Sequence, residues 1–328
     1  MDTLSHSLVG VSIAQVAIAT QNVEKFEDKL FVLSFCVIAA NIPDVDILTK
    51  PFGSRFFLKY HRSISHSLFL NFILTILYSL IAYRFNDSFS IYFILGLSTL
   101  SVFGHIFTDI FNSYGTQALW PFSTKWLRLG LSSTFDTFIF FSLATSIAVD
   151  YFTDWYMVNI YLINYCLIFL YLTFSLFKYM KVKQKLFEEY DDIKKFYIYA
   201  NRITVSYFFI IELESARYII GKCINKIRVI DEVKKNRVEP ILFDKLIQNK
   251  NLQHFIDFCP IYNVEEKKLL NGYRQIKYYD LRYVKNDETK RKYYWFSTTL
   301  ILKGDEVINS YMGFIMKEHK LIKKLNLN

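Results

Sequence analysis

The sequence predicts two parts of different fold class: an α-helical integral membrane domain of about six helices over residues 1–179, and a soluble α+β domain over residues 180–328. Mean hydropathy is +0.19, high for a soluble chain and low for one embedded throughout. The first part carries 10 Lys and Arg against 11 Asp and Glu, whereas the second carries 29 against 19. Only the second part has short runs rich in β-branched and aromatic residues, which are typical of strands.

The membrane helices are predicted from six apolar segments of about the length that crosses a bilayer, roughly 20 residues. They cover residues 3–20, 30–42, 67–83, 89–107, 134–149 and 155–177. The second is short, so it forms a short helix or crosses only partly, and Pro43 ends it or opens the next turn. Asp2 precedes the first segment where a cleaved signal peptide would carry basic residues, so we expect this segment to be retained.

The distribution of Lys and Arg predicts the topology of these helices. Basic residues concentrate in loops 43–66 and 111–132 and just after residue 177, and the other loops have few or are offset by acids. The positive-inside rule therefore predicts a multi-pass plasma (inner) membrane protein with both termini in the cytoplasm. The basic second part is expected to contact anionic membrane lipid; nucleic acid is not expected, since no recognised motif accompanies the charge. A protein partner for it is not indicated.

The soluble part begins with a predicted charged helix at residues 181–195. Strands are predicted at residues 203–212, 274–284, 293–302 and 307–315, the last two joined by a hairpin turn at residues 303–306. The four cysteines are scattered without a C-x-x-C pair, which indicates small core residues instead of a disulfide frame or a thiolate metal site.

Histidines and aspartates collect at the helix ends of the first part. The predicted topology brings all of them to the cytoplasmic face, although it was derived from Lys and Arg alone. Imidazole and carboxylate groups bind divalent metals, and burying them in apolar surroundings without compensation is costly. His105 and Asp109 stand one helical turn apart and share a face. The candidates for such a site are His6, Asp44, Asp46, His61, His66, His105, Asp109 and Asp136.

Five motifs carry a family resemblance. They are DTLSH at residues 2–6, PDVD at 43–46, HRSISHS at 61–67, GHIFTD at 104–109 and YGTQALWPF at 114–122. Their order and spacing resemble the membrane-bound metal-dependent hydrolases of the YdjM type over residues 1 to about 180. The resemblance implies that the metal ligands are His6, Asp44, Asp46, His61, His66, His105 and Asp109. The His and Asp pattern is also similar to that of zinc-dependent phospholipase C enzymes, which implies zinc and phosphoester hydrolysis. Residues 279–283 (YDLRY) resemble part of a C-terminal domain found in some members of the family.

The residues themselves suggest the same chemistry. Seven nitrogen and oxygen ligands exceed the needs of one tetrahedral zinc, so we expect one to three divalent ions that activate water. Asp46 or Asp136 is the candidate general base, and Arg62 would orient a carboxylate or bind a substrate phosphate. Simpler readings remain open, in which Asp136 is a charge at a helix N-terminus, Asp44 and Asp46 cap a turn, and Arg62 only follows the positive-inside rule.

Three functions fit these observations. The leading hypothesis is an enzyme, a hydrolase of a lipid or small-molecule phosphoester or ester. A metal-ion or proton-coupled transporter is the alternative, since His and Asp in a membrane also mark ion paths. The third possibility is a scaffold whose metal is structural and whose tail recruits a partner.

Overall fold

The structure is a computed structural model that describes residues 2–52, 62–153, 157–201, 206–269, 272–286, 292–294 and 296–314. The chain forms two compact units. The first contains the described residues up to Thr49, those from Arg62 to Lys185, and a short return of the chain around Tyr199 and Tyr207. The second contains the residues from Leu186 to Ile198 and the described residues from Phe208 onward.

The first unit is built from helices, in agreement with the predicted helical membrane domain. In order they are α1 (Thr3–Thr20), α2 (Phe26–Ala39), α3 (Leu68–Phe85), α4 (Ile91–Phe111), α5 (Thr137–Phe152) and α6 (Met157–Glu189). Among the described residues, α1, α3, α4 and α6 are long and apolar enough to cross a membrane. A fifth span forms if α2 and the following 3₁₀ helix are one element bent by 57°. The shorter α5 is also apolar, which is compatible with the prediction of about six helices.

Side-chain caps fix the starts of these helices. Asp2 accepts a hydrogen bond from the Ser5 amide at the start of α1, at 3.1 Å. Ser67 accepts one from the Leu70 amide at the start of α3, at 2.9 Å. Ser67 takes the N-cap position, which leaves the nearby Ser65 hydroxyl available for another contact.

Helices α1 and α2 pack unusually closely, and Gly10 is the reason. A Cβ atom at this position would lie 2.8 Å from the Cys36 carbonyl oxygen and 2.9 Å from the Val37 Cα. Only glycine allows two helix backbones to approach this far. Farther along the same helices, Ala14, Phe35 and other buried side chains form an apolar core with α4.

The outer surface of the helices is apolar. Phe72 and Ile81 on α3 are 58% exposed, and Phe169 on α6 is 70% exposed. A soluble protein rarely exposes a contiguous apolar surface, whereas a membrane-spanning helix presents such side chains to lipid.

The loop between α4 and α5 lies against the segment that precedes α3. The Gln117 amide donates to the Arg62 carbonyl at 2.8 Å, and the Leu68 amide donates to the Ala118 carbonyl at 2.9 Å. The peptide bond between Trp120 and Pro121 is cis. These contacts keep residues 62–68 in a defined place at the end of the helices.

The second part of the chain contains two four-stranded sheets with strand orders β1-β2-β3-β4 and β10-β9-β6-β5, and a two-stranded sheet of β7 and β8. The strands are β1 (Ile193–Ala200), β2 (Tyr207–Leu213), β3 (Arg217–Cys223), β4 (Ile227–Lys234), β5 (Tyr262–Lys268), β6 (Tyr273–Asp280), β7 (Val284–Asn286), β8 (Lys292–Tyr294), β9 (Phe296–Lys303) and β10 (Glu306–Phe314). The predicted hairpin turn is confirmed, because Lys303 of β9 pairs with Glu306 of β10. The α+β class of this part is confirmed as well.

Several elements of the second part differ from the prediction. The charged helix continues α6 and ends at Glu189, after which Ile193 begins β1. Two short helices, α7 (Pro240–Leu246) and α8 (Lys250–Phe258), were not predicted. The Phe255 ring of α8 stacks on Phe296 of β9 with centroids 5.4 Å apart, so this helix covers one face of the second sheet. The first residues of the predicted strand 203–212 lie outside the described part.

Candidate metal centre

In the first unit, the Nε2 atoms of His66 and His105 each lie within 4 Å of one oxygen of Asp44 and one oxygen of Asp109. The Nε2 atoms of His66 and His105 are 3.2 Å apart. Asp109 Oδ2 lies 3.3 Å from the first and 3.9 Å from the second. Asp44 Oδ1 lies 3.6 Å and 3.7 Å from the same two nitrogens. The two histidines and Asp109 are fully buried, while the Asp44 side chain is 14% exposed.

These distances fit the coordination shell of a metal ion. Because Zn–N bonds are about 2.0–2.1 Å long, neighbouring ligand atoms of a tetrahedral zinc lie roughly 3.3–3.4 Å apart. The five distances among the four atoms run from 3.2 to 3.9 Å. His66, His105 and Asp109 form one group that could hold an ion, and His6, Asp44 and His105 form a second.

The surroundings of His6 also indicate a site for a metal ion. Its side chain is 0% exposed, and neither ring nitrogen makes a hydrogen bond to a described residue. The ring stacks on His105 with centroids 3.5 Å apart, and Nε2 lies 3.5 Å from Asp109 Oδ1. A buried polar group without a hydrogen bond is costly, and a metal ion would remove this cost.

The outer contacts of His105 orient its ring toward these groups. Its Nδ1 lies 2.6 Å from the Ala40 carbonyl oxygen. A carbonyl can only accept, so Nδ1 carries the hydrogen and Nε2 presents its lone pair to the cluster. An imidazole that donates its other nitrogen to a carbonyl is the usual arrangement of a metal-binding histidine.

His66 is oriented in the same way by Ser65 and Asp46. Its Nδ1 lies 2.9 Å from the Ser65 hydroxyl and 3.8 Å from Asp46 Oδ2. Asp46 Oδ2 also accepts hydrogen bonds from the Ser65 hydroxyl and from the Arg62 amide. The structure therefore places Asp46 behind His66, on the side of Nδ1. This geometry favours a positioning role, instead of the predicted role as ligand or general base.

Arg62 lies at the edge of the cluster in an uncommon backbone conformation. Its φ is +59°, in the left-handed region that costs a non-glycine residue roughly 1–2 kcal/mol. The buried guanidinium brings Nη2 to 3.4 Å from Asp109 Oδ2 and lies over the Tyr114 ring. The predicted contact of Arg62 with a carboxylate is thus present in the structure, and Asp109 is that carboxylate.

Asp136 contacts a different set of groups. Its carboxylate accepts hydrogen bonds from the Phe138 and Ile139 amides, which makes it the N-cap of α5. The Tyr171 hydroxyl donates to both carboxylate oxygens, at 2.9 Å and 3.0 Å. These contacts correspond to the simpler reading of Asp136, and they favour a structural role over the predicted catalytic one. His61, the remaining predicted ligand, lies outside the described residues.

Two supporting residues were not predicted from the sequence. Asn112 donates from Nδ2 to Asp109 Oδ1 at 3.0 Å and accepts the Tyr114 and Gly115 amides, so it joins the α4–α5 loop to the cluster. Thr3 donates to Asp44 Oδ2 at 3.2 Å. Asn112 follows Asp109 by three residues at the end of α4. This spacing of about one helical turn could have predicted their contact from the sequence.

Comparisons with known proteins agree with this architecture. The sequence profile of the YdjM inner membrane protein family matches residues 1–182, and that of the YfhP C-terminal α/β plait domain matches residues 242–325. The chain is similar to a protein of Bacillus subtilis (strain 168) described as the uncharacterized protein YfhP. The two are 28% identical over 335 aligned residues, which cover 100% of this chain and 99% of the relative. No solved structure matches the chain.

Proposed function

The chain belongs to the YdjM inner membrane protein family, and from this premise we propose that it is a membrane-embedded, metal-dependent hydrolase of a phosphoester or ester. The observation that carries the proposal is the pair of imidazole nitrogens of His66 and His105, which lie 3.2 Å apart and each 3.3–3.9 Å from an oxygen of Asp44 and of Asp109. Zinc is the proposed metal, since two imidazoles and two carboxylates form a donor set that zinc commonly binds. Zinc in such a site lowers the pKa of water towards about 7, which supplies hydroxide at neutral pH.

The chain's own residues then have distinct tasks. His66, His105, Asp44 and Asp109 would hold one ion. The Asp109 carboxylate faces His66 with one oxygen and His6 with the other, so it can also join a second ion to the first. His61 is a further candidate ligand and would allow an additional ion, so the expected number stays at one to three.

Arg62 is proposed to bind the substrate. Its guanidinium is buried beside Asp109 and offers paired donors that match phosphoryl oxygens. Among the four clustered groups Asp44 alone is partly exposed, so substrate is expected to enter from its side. The distribution of Lys and Arg supports a cytoplasmic position for this opening.

Elemental analysis of the detergent-purified protein tests the site. We expect about one to three zinc ions per chain in the wild type and a loss of at least one in His66→Ala. His254→Ala is the matched control, because it removes an imidazole from the soluble part and should leave the zinc content unchanged. A wild-type protein that binds no divalent metal after incubation with zinc would contradict the proposal.

Turnover is tested with a soluble phosphodiester such as bis(p-nitrophenyl) phosphate and with phospholipid vesicles. Hydrolysis that requires zinc and is abolished in His66→Ala and Asp109→Asn is the expected result. If the protein holds zinc but hydrolyses neither a phosphoester nor a carboxylic ester, the metal would instead have a structural or transport role.

A transport function remains the second candidate because of buried hydroxyl groups in the spans. Thr75 and Ser79 lie one turn apart on α3, and Ser98 lies on α4; all three are at most 2% exposed. None of these hydroxyls makes a hydrogen bond to a described residue. Hydroxyls of this kind can line an ion path. Zinc flux into proteoliposomes that is lost in Ser79→Val would favour transport over hydrolysis.

A further inference from the structure

A long apolar groove runs along the first unit beside the metal centre. Its volume is about 700 Å³, within the range of about 300–1,000 Å³ that small-molecule sites occupy. Side chains of four helices line it, and almost all of them are apolar. They include Val9 and Ile13 of α1, Leu97 of α4, Leu143 of α5, and Ile168 and Leu172 of α6. We call this feature the apolar groove.

The apolar groove follows the helices, and one of its ends is lined by residues close in sequence to candidate ligands. At one end it is lined by Val9, one turn after His6, and by Thr108, the neighbour of Asp109. At the other end it reaches Thr20. From Val9 to Thr20 the helix rises about 17 Å, at 1.5 Å per residue. One leaflet of a hydrocarbon core of about 30 Å is about 15 Å deep. The groove therefore has the length of one acyl chain in a leaflet.

The apolar groove is open toward the surrounding lipid. Leu100 and Phe107 line it, yet they are 62% and 60% exposed, and Tyr92 at its far end is 83% exposed. A lipid could enter sideways from the bilayer without leaving its hydrocarbon environment.

Two glycines in the interior of α4 keep the apolar groove wide. Glycine there costs about 1 kcal/mol relative to alanine, so a reason for each is expected. A Cβ at Gly96 would meet no atom of a neighbouring element within 4 Å, and at Gly104 it would meet only Val9 Cγ1, at 4.0 Å. At Gly10 the backbone of α2 explains the glycine. At Gly96 and Gly104 the space belongs to the groove.

A buried hydroxyl stands at the end of the apolar groove near the metal centre. Ser132 lines the groove and is 1% exposed, and its Oγ makes no hydrogen bond to a described residue. Its backbone bridges to Asn112, the residue that donates to Asp109. An apolar groove with one unused hydroxyl at this end fits a ligand with a hydrocarbon tail and a polar linkage.

We propose that the apolar groove holds one acyl chain of a glycerophospholipid from the surrounding bilayer. The carboxylic ester of the lipid accepts a hydrogen bond from Ser132, and its phosphate reaches the metal centre. The substrate of the hydrolase is then a phospholipid, and this step rests on the function proposed above. Water supplies the oxygen for one new P–O bond, one P–O bond to an alcohol breaks, and the leaving oxygen takes a proton from that water.

Photocrosslinking tests the binding of the chain separately from turnover. The full-length protein is reconstituted in nanodiscs of phosphatidylethanolamine and phosphatidylglycerol that contain a phospholipid with a diazirine in its acyl chain. Crosslinks mapped by mass spectrometry are expected on lining residues such as Ile13, Leu97 and Ile168. Gly96→Leu should lower their yield about tenfold by filling the groove, a loss of affinity of about 1.4 kcal/mol. Thr145→Leu, on an exposed face of α5, is the control and should leave the yield unchanged.

The outcomes separate this inference from the proposed function. Gly96→Leu should keep the wild-type zinc content and turn over the soluble phosphodiester, while phospholipid hydrolysis falls about tenfold. Equal crosslinking of the lining residues in Gly96→Leu and wild type would overturn the groove as a lipid site, whatever the activity. A third outcome is also informative: the wild type binds zinc and crosslinks at the lining residues but hydrolyses nothing, and Gly96→Leu loses the crosslinks. This result would support the lipid site and contradict the hydrolase.

Discussion

At the scale of single residues, the candidate metal centre depends on groups that lie behind the histidine rings. Asp46 and Ser65 contact Nδ1 of His66, and the Ala40 carbonyl contacts Nδ1 of His105. Such contacts fix which nitrogen carries the hydrogen and where the lone pair points. They make the cluster sensitive to substitutions outside the candidate ligands.

Asp46→Asn tests this dependence. The amide keeps the size of the side chain but removes its charge, so His66 should be a weaker ligand and zinc affinity should fall about 10- to 100-fold. Competition with a chromogenic zinc chelator measures this change, with Asp136→Asn, at the α5 cap, as the control. If Asp46→Asn lost zinc as completely as His66→Ala, Asp46 would have to be a ligand after all.

Arg62→Lys tests the role of the guanidinium. Lysine keeps the charge but loses the planar pair of donors, so zinc content should stay at the wild-type level while hydrolysis weakens. A fall of about 10- to 100-fold in kcat/KM is expected for the loss of one or two charge-assisted hydrogen bonds. Steady-state kinetics with the soluble phosphodiester give this value. Unchanged kinetics would mean that the guanidinium of Arg62 does not bind the substrate and serves only its contact with Asp109.

The sequence predicted the convergence of the site better than the role of each residue. His6, His66, His105 and Asp109 meet because helix ends at one membrane face are neighbours in space. Asp44 and Asp46 were both taken as ligands, but they lie in the 3₁₀ helix Ile42–Phe52. With three residues per turn, side chains two apart point in directions that differ by about 120°. One aspartate therefore faces the cluster and the other lies behind His66.

At the scale of elements, apolar length was a reliable signal and local geometry was not. The bounds of α1, α3 and α4 were predicted within about four residues, whereas α6 ends at Glu189 instead of residue 177. The break near Pro43 was expected from proline chemistry. The pairing of the first sheet and the short helices α7 and α8 were missed. Five of the eight residues of β4 are exposed, so its pattern resembles that of a polar loop. The contact of Asp136 with the Tyr171 hydroxyl could not be predicted, because Tyr171 is 35 residues away in sequence.

Gly10→Ala and Gly96→Ala form a matched pair for helix packing. In Gly10→Ala the new methyl group would clash with the backbone of α2, so the free energy of unfolding should fall by about 1–3 kcal/mol. In Gly96→Ala the methyl enters open space and should raise helix stability by up to about 1 kcal/mol. Thermal unfolding in detergent, followed by circular dichroism, measures both. Equal effects would mean that α1 and α2 do not approach as closely as described.

At the scale of the whole molecule, the chain consists of two units of different character. The first has an apolar outer surface and the candidate metal centre, and the second is built on two antiparallel sheets with a basic charge balance. Each unit has its own buried core, so each can respond separately to heating. The candidate metal centre lies in the first unit.

Zinc should therefore stabilise one unit and leave the other unchanged. Two thermal transitions are expected in calorimetry of the full chain. Free zinc at about 100 times its Kd should stabilise the first unit by about 2.7 kcal/mol. A chelator should reverse that shift, and magnesium serves as the control ion. Movement of both transitions together would indicate that the units unfold as one.

The break after α2 links the occupation of the candidate metal centre by an ion to the conformation of the backbone. In an uninterrupted α-helix the Ala40 carbonyl would be taken by the amide four residues on, but Asp44 donates instead to Asn41. Because of this break, the Ala40 carbonyl oxygen accepts a hydrogen bond from His105 Nδ1 instead of from the helix backbone. Without the ion, the contact between His105 and Ala40 would hold the bend less firmly. The backbone of residues 40–44 would then be the first to change conformation. In this way the candidate metal centre is linked to the bend between α2 and the 3₁₀ helix that follows it.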